Sequence, residues 1–186
     1  MKSVLISLQP KWCELIASGK KTIEVRKTAP KLETPFKCYI YQTKALKVNK
    51  AYSYKTWARN GKVIGEFVCE KIEKFNVGSL RSDVIEKLAC LTYNEIINYF
   101  YKPEELDGKT VKVGYAWHIS NLKIYDKPKE LGEFYRCQCK YMKRNPNLTC
   151  DCYCELGNQS CFENGGAYKP LTRAPRSWQF VEEISE

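Results

Sequence analysis

Glu24 and Arg26 stand two residues apart in the stretch SGKKTIEVRK, Ser18 to Lys27, where five of ten residues are charged yet the pattern alternates like a strand. Ile23 and Val25 read as the core-facing side, which leaves Thr22, Glu24 and Arg26 on the opposite face. A carboxylate and a guanidinium on neighbouring same-face positions form an ion pair that also holds each in one orientation. On the wall of a cleft, the pair presents an acceptor beside a forked donor, which is what a base edge or a phosphate requires. On an open strand face the same pair is a surface salt bridge of little consequence.

A second candidate is a basic, aromatic tract. From Thr34 through Gly65 there is no Asp or Glu, while Lys37, Lys44, Lys47, Lys50, Lys55, Arg59 and Lys62 give a local charge of +7. Tyr39, Tyr41, Tyr52, Tyr54 and Trp57 interleave with them. Cations that track phosphates beside rings that stack on splayed bases suit single-stranded nucleic acid. Lys44, Lys47, Lys50, Tyr54, Lys55, Trp57 and Arg59 are the expected contacts. The alternative is a solvated lysine loop, with Tyr39 and Tyr41 on one face of a strand.

The third is a run of cysteines, Cys137, Cys139, Cys150, Cys152, Cys154 and Cys161, six thiols within 25 residues that lack apolar periodicity. A structural zinc held by four of them would explain how so small a segment is ordered. Free thiols and disulfides are the alternatives, since the spacing is not that of a C-x-x-C knuckle. Cys13, Cys38, Cys69 and Cys90 sit in apolar runs and read as buried small hydrophobes. The single histidine, His118, reads as a wall residue with a satisfied hydrogen bond, and Trp117 beside it points the other way.

The elements that must position these groups are short. SVLISL reads as a buried strand, Pro10 opens a helix with Trp12, Leu15 and Ile16 on one face, and Gly19 closes it in a left-handed cap. Further strands are expected at Lys37–Thr43, Lys62–Phe75, Lys109–Tyr125, with Gly114 as a bulge, and Ser177–Ile184. Between them, Thr92 and Glu95 form a capping box within a helical stretch from about Ser79 to Tyr101 that breaks near Cys90 and stops before Pro103. Five or six strands without a regular βαβ rhythm argue for an α+β fold, a small mixed β-barrel with helices packed between strands.

At 186 residues and 44% hydrophobic the chain can bury one core. The formal charge of +10, from 31 Lys and Arg against 21 Asp and Glu, points to a polyanionic partner, solubility being the bland alternative. The apolar run VLISL is too short for a membrane span or export signal, so a cytoplasmic location without membrane association is expected. The chain divides into residues 1–133, a cysteine-rich insertion over 134–167, and a final strand and tail over 168–186.

Gly19, Lys21, Glu24 and Arg26 together spell G-x-K-x-x-E-x-R, and this motif resembles the signature of the ASCH family of PUA-like domains, including phage and bacterial members. SVLISLQPKWCELIASGKKTIEVRK, KVIGEFVCEKI, YAWHISNLKIYDKP and RAPRSW resemble its successive strands, so the likeness covers about residues 1 to 130 and 168 to 184. The resemblance implies a PUA-like barrel and a cleft beside the motif strand that takes RNA or a nucleobase-containing ligand, with Lys21, Glu24 and Arg26 as site residues. Some members resembling this chain are amidohydrolases on acetylcytidine, using a Lys, a Thr and a separate Glu. Lys21 matches that Lys, Glu24 occupies the Thr position, and Glu86 and Glu95 are candidates for the Glu. Others are linked to ribonuclease activity. As an enzyme, the chain would use Lys21 and Glu24. A further reading is an interaction module whose basic face docks on an acidic partner. Arg173, Arg176 and Trp178 are expected to close the cleft from the C-terminal side.

Overall fold

The computed structural model describes residues 3–44, 60–105, 110–137 and 168–183. Strand β1 (Ser3–Leu8) is buried along its whole length, with Val4, Leu5, Ile6 and Leu8 supplying the apolar side chains of a central strand. It runs parallel to β3 (Phe36–Gln42) on one side and antiparallel to β8 (Trp178–Glu183) on the other. Helix α1 (Pro10–Ala17) starts at the proline and buries Pro10, Cys13 and Ile16. Gly19, at φ +73°, then reverses the chain into β2 (Ile23–Arg26).

Long antiparallel strands β4 (Val63–Asn76) and β5 (Val113–Lys129) form the middle of the sheet, and β6 (Phe134–Cys137) and β7 (Tyr168–Pro170) extend it beyond β8. Among the described residues the order is β2-β5-β4-β3-β1-β8-β6-β7. The sequence leads to a closed barrel of five or six strands; the observed sheet has eight and is open. β6 and β7 escape sequence reading because they are only four and three residues long. They border the cysteine-rich segment, and Phe134 packs fully buried against the Tyr39 ring at 4.8 Å.

Alternation along β1 feeds two cores. Val4, Ile6 and Leu8 join Ile16, Ile40, Phe67 and Trp117, whereas Leu5 joins Tyr39, Tyr41, Val63 and Val181. A third cluster holds Ile23 and Val25 of β2 against Ile85 and Ala89 of α2 (Leu80–Ala89) and Ile96 and Phe100 of α3 (Tyr93–Phe100). The capping box at Thr92 and Glu95 is present, and the chain breaks between the helices at Cys90, a left-handed residue at φ 52°. Cys90 is therefore only partly buried, unlike Cys13, Cys38 and Cys69, and its thiol donates to the Lys20 carbonyl.

Gly114 is not the expected bulge. It pairs in regular register with Phe75, and a Cβ there would lie 2.5 Å from the Phe75 ring, so close packing demands the glycine. The register shifts fall elsewhere on β4 and β5. Among the described residues no helix is long and apolar enough to cross a membrane.

Candidate functional site at the seam of the sheet

β2 and β1 are separated by β5, β4 and β3 in the sheet, yet the Arg26 guanidinium on β2 reaches β1, Nη2 donating to the Ser7 carbonyl at 2.8 Å. The sheet therefore curls until its first and fifth strands face each other, and a side chain bridges the seam where a barrel would close with backbone bonds. Arg26 Nη1 also donates to Ser177 Oγ at 3.3 Å, and the Ser177 carbonyl accepts from Ser7 N at 2.9 Å. One guanidinium thus ties β2 to β1 and to the residue preceding β8.

Lys21 arrives by a different route. The reversal at Gly19 folds it back so that its backbone N–H donates to the Leu15 carbonyl, and its side chain runs into the protein, 2% exposed. Its ammonium donates to the Ala89 carbonyl at 2.7 Å, at the end of α2 where the left-handed Cys90 leaves carbonyls without helical partners. Glu24 lies between the two cations, Oε2 at 3.2 Å from Lys21 Nζ and Oε1 at 3.0 Å from Arg26 Nε. All three are buried, with a formal sum of +1. The Arg26 Nε–H is not aimed at the carboxylate, and Nε and Ser7 Oγ are both buried without a hydrogen-bond partner among the described residues.

These groups floor a cleft of about 630 Å³. Trp12 of α1, Tyr99 of α3 and exposed Arg176 also line it. Lys21 Nζ lies 5.2 Å from the Trp12 ring and Lys27 Nζ lies 5.1 Å from the Tyr99 ring, both within cation–π range. Burial pushes the Tyr99 hydroxyl above its ordinary pKa, and the Arg26 guanidinium pulls against that. Lys11 pairs with Glu95 at 2.9 Å, so Glu95, which lines the cleft, serves Lys11 and the Thr92 cap.

The placement of Glu24 and Arg26 opposite Ile23 and Val25 holds, but both faces of β2 are buried, because one packs on the helices and the other lies in the seam. Thr22 precedes the strand, is exposed and is not among the residues lining the cleft. Arg176 lines the cleft, whereas Arg173 does not, and Trp178 packs on Trp117 and Phe180 while donating to Thr28 Oγ1. Glu86 is not among the lining residues. His118 is outside the cleft too. Its Nε2 has no hydrogen bond among the described residues and lies 3.6 Å from a Glu73 oxygen.

Tyr39 and Tyr41 are buried in the core and unavailable for stacking. Lys44 is exposed, its side chain lying across Gly61. Lys47, Lys50, Tyr54, Lys55, Trp57 and Arg59 lie outside the described residues. So do Cys139, Cys150, Cys152, Cys154 and Cys161, and of Cys137 only the backbone is described. Sequence reasoning missed Trp12 and Tyr99 as cleft residues; each sits at helical spacing among apolar neighbours and reads as core.

An α+β sheet curled around a buried core, with a charged cleft at its unclosed seam, defines a PUA-like domain. The ASCH domain profile matches residues 6–129, two thirds of the chain, and the chain belongs to the ASCH domain family. No curated protein matches it. Among solved structures it is similar to the ASCH protein from Zymomonas mobilis, with TM-score 0.56 and 20% identity over 97% of this chain and 87% of that one. A point variant of the same protein gives TM-score 0.54 and 19% identity over 98% and 91%. At this identity the likeness speaks for the fold alone.

Proposed function

We propose that the seam cleft binds RNA, or a nucleobase-containing ligand, by an anionic group held at Arg26 and Lys21. The observation that carries this reading is the buried Lys21–Glu24–Arg26 group on the cleft floor, two cations against one carboxylate, which keeps an excess positive charge there. Burying charge is costly unless it is paired, and this group carries one cation more than its carboxylate can pair. An incoming phosphate pairs that excess charge. Trp12 and Tyr99 supply aromatic surface for a base beside it, and a volume of about 630 Å³ suits a ligand of nucleotide size.

Both Glu24 oxygens are engaged by cations, so in this arrangement the carboxylate orients Lys21 and Arg26 and is not poised as a general base. Binding is therefore favoured over amide or phosphodiester hydrolysis. The basic tract of Lys44, Lys47, Lys50, Lys55 and Arg59, with Tyr54 and Trp57, holds the strand further along.

The test is affinity for single-stranded RNA across a salt series. Binding should weaken steeply as salt rises, and Lys44→Glu with Lys50→Glu should weaken it further. Binding that is undetectable or indifferent to salt would refute the proposal.

A further inference from the structure

A second basic concavity, of about 620 Å³, lies where β4 and β5 part company, and it shares no lining residue with the seam cleft. Between the pairs Gly65↔Ile124 and Val63↔Lys129, β4 advances two residues (65 to 63) while β5 advances five (124 to 129). The three extra residues on β5 form an enlarged bulge, a device that re-aims side chains out of the ordinary alternation. Gly65 is what lets the two backbones meet there, since a Cβ at that position would lie 2.4 Å from the Lys123 carbonyl oxygen. The bulge gathers Lys123, Tyr125, Lys127 and Lys129 around one depression, with Lys37 and Glu66 on its floor.

The charges there are not mutually cancelled. Glu66 accepts from the Tyr125 hydroxyl at 2.6 Å and pairs with Lys37 at 3.4 Å, so both of its oxygens are taken. Lys123 and Lys127 are exposed and form no ion pair with a described residue. Asp126, also on the lining, leaves four lysines against two carboxylates. The position matters as much as the charge. Lys129 pairs with Val63, where the chain re-enters the sheet after the basic tract, and the adjacent Lys62 is bridged to Glu130 at 2.7 Å. The depression therefore lies beside the start of β4, next to Lys62 in sequence.

We infer that the bulged end of β5 is a second polyanion contact, where Lys123 and Lys127 hold the phosphate backbone of a single-stranded RNA longer than the seam cleft accommodates. A polyanion is favoured over an acidic protein face because four of the eight lining residues are lysines and Ile124 is the one aliphatic side chain among them. The contact reads no bases, since the Tyr125 hydroxyl is committed to Glu66 and Lys129 Nζ lies 5.4 Å from its ring.

The experiment compares full-length protein with its Lys123→Gln/Lys127→Gln variant, using labelled oligouridylates of about 12 and about 3 nucleotides. Losing two phosphate contacts should lower the log–log salt slope for the longer RNA by about 1.4 and weaken its binding about tenfold near physiological salt. Binding of the short oligonucleotide, confined to the seam, should not change. Unchanged slope and affinity for the longer RNA would overturn the inference, as would a loss confined to an acidic peptide probe such as polyglutamate. A Trp12→Ala variant separates the two sites: if it leaves short-oligonucleotide binding intact, the seam reading fails, while a salt-slope loss in the lysine variant still supports this one.

Discussion

Lys21 Nζ lies 3.2 Å from Glu24 Oε2, and both side chains are almost wholly buried. The pair joins the end of α2, through the Ala89 carbonyl, to the motif strand. Lys21→Met removes the donor from both partners and leaves Glu24 to Arg26 alone. We expect a loss of about 3 kcal/mol, seen as a fall in thermal midpoint of about 6–12 °C. A midpoint within about 2 °C of the parent would mean that the bridge contributes nothing to stability.

Glu24→Gln separates binding from catalysis. It raises the formal charge of the buried group from +1 to +2, so phosphate affinity should hold or rise even as stability falls. Isothermal titration with a short RNA, on samples shown to be folded by circular dichroism, reads this directly. Abolished binding in folded protein would count against the phosphate-binding reading, and turnover of acetylcytidine or RNA by the parent that this variant loses would favour an enzyme.

Thr92→Ala tests the cap that sets α3, the helix carrying Tyr99. The Thr92 hydroxyl accepts from Glu95 N at 3.2 Å, and its loss should cost about 1 kcal/mol. Chemical denaturation should show a lower midpoint at an unchanged slope.

Acid sensitivity follows from the carboxylates. The Thr92 backbone N–H and then Lys11 hold Glu95 below its ordinary 4.5. Burial pushes Glu66 up, but the Tyr125 hydroxyl and Lys37 outweigh it, and this carboxyl also sits below 4.5. A depressed folded pKa contributes stability that is full above the unfolded value and lost as pH falls through the folded one. Unfolding free energy should therefore be flat from neutral pH down to about 5 and decline below 4.5. Glu95→Gln should shallow the decline; an identical profile would refute this assignment.

Four of the six clustered cysteines are proposed to hold one structural zinc. Metal analysis of protein purified without chelator should give about one equivalent, and less than about half would count against the site.

Much of this protein is written locally. Pro10, Gly19, Thr92 with Glu95, and the unbroken SVLISL mark their elements because caps, turns and buried strands depend on near neighbours, and all form where the sequence places them. The G-x-K-x-x-E-x-R spacing likewise marks Lys21, Glu24 and Arg26 as one group. Gly114 was legible only as a glycine in a strand, because its reason is the Phe75 and Phe100 rings that approach from distant segments. Alternation could give Glu24 and Arg26 a face but not say what covered it. That depended on the curl of the sheet, which brings β2 opposite β1 and lets Arg26 reach Ser7 and Ser177, 19 and 151 residues away along the chain. Residue types and spacing thus determined the charges of the site and the strand that carries them. Only the tertiary structure buried those charges at a seam, because long-range strand order follows from how all the apolar faces pack together.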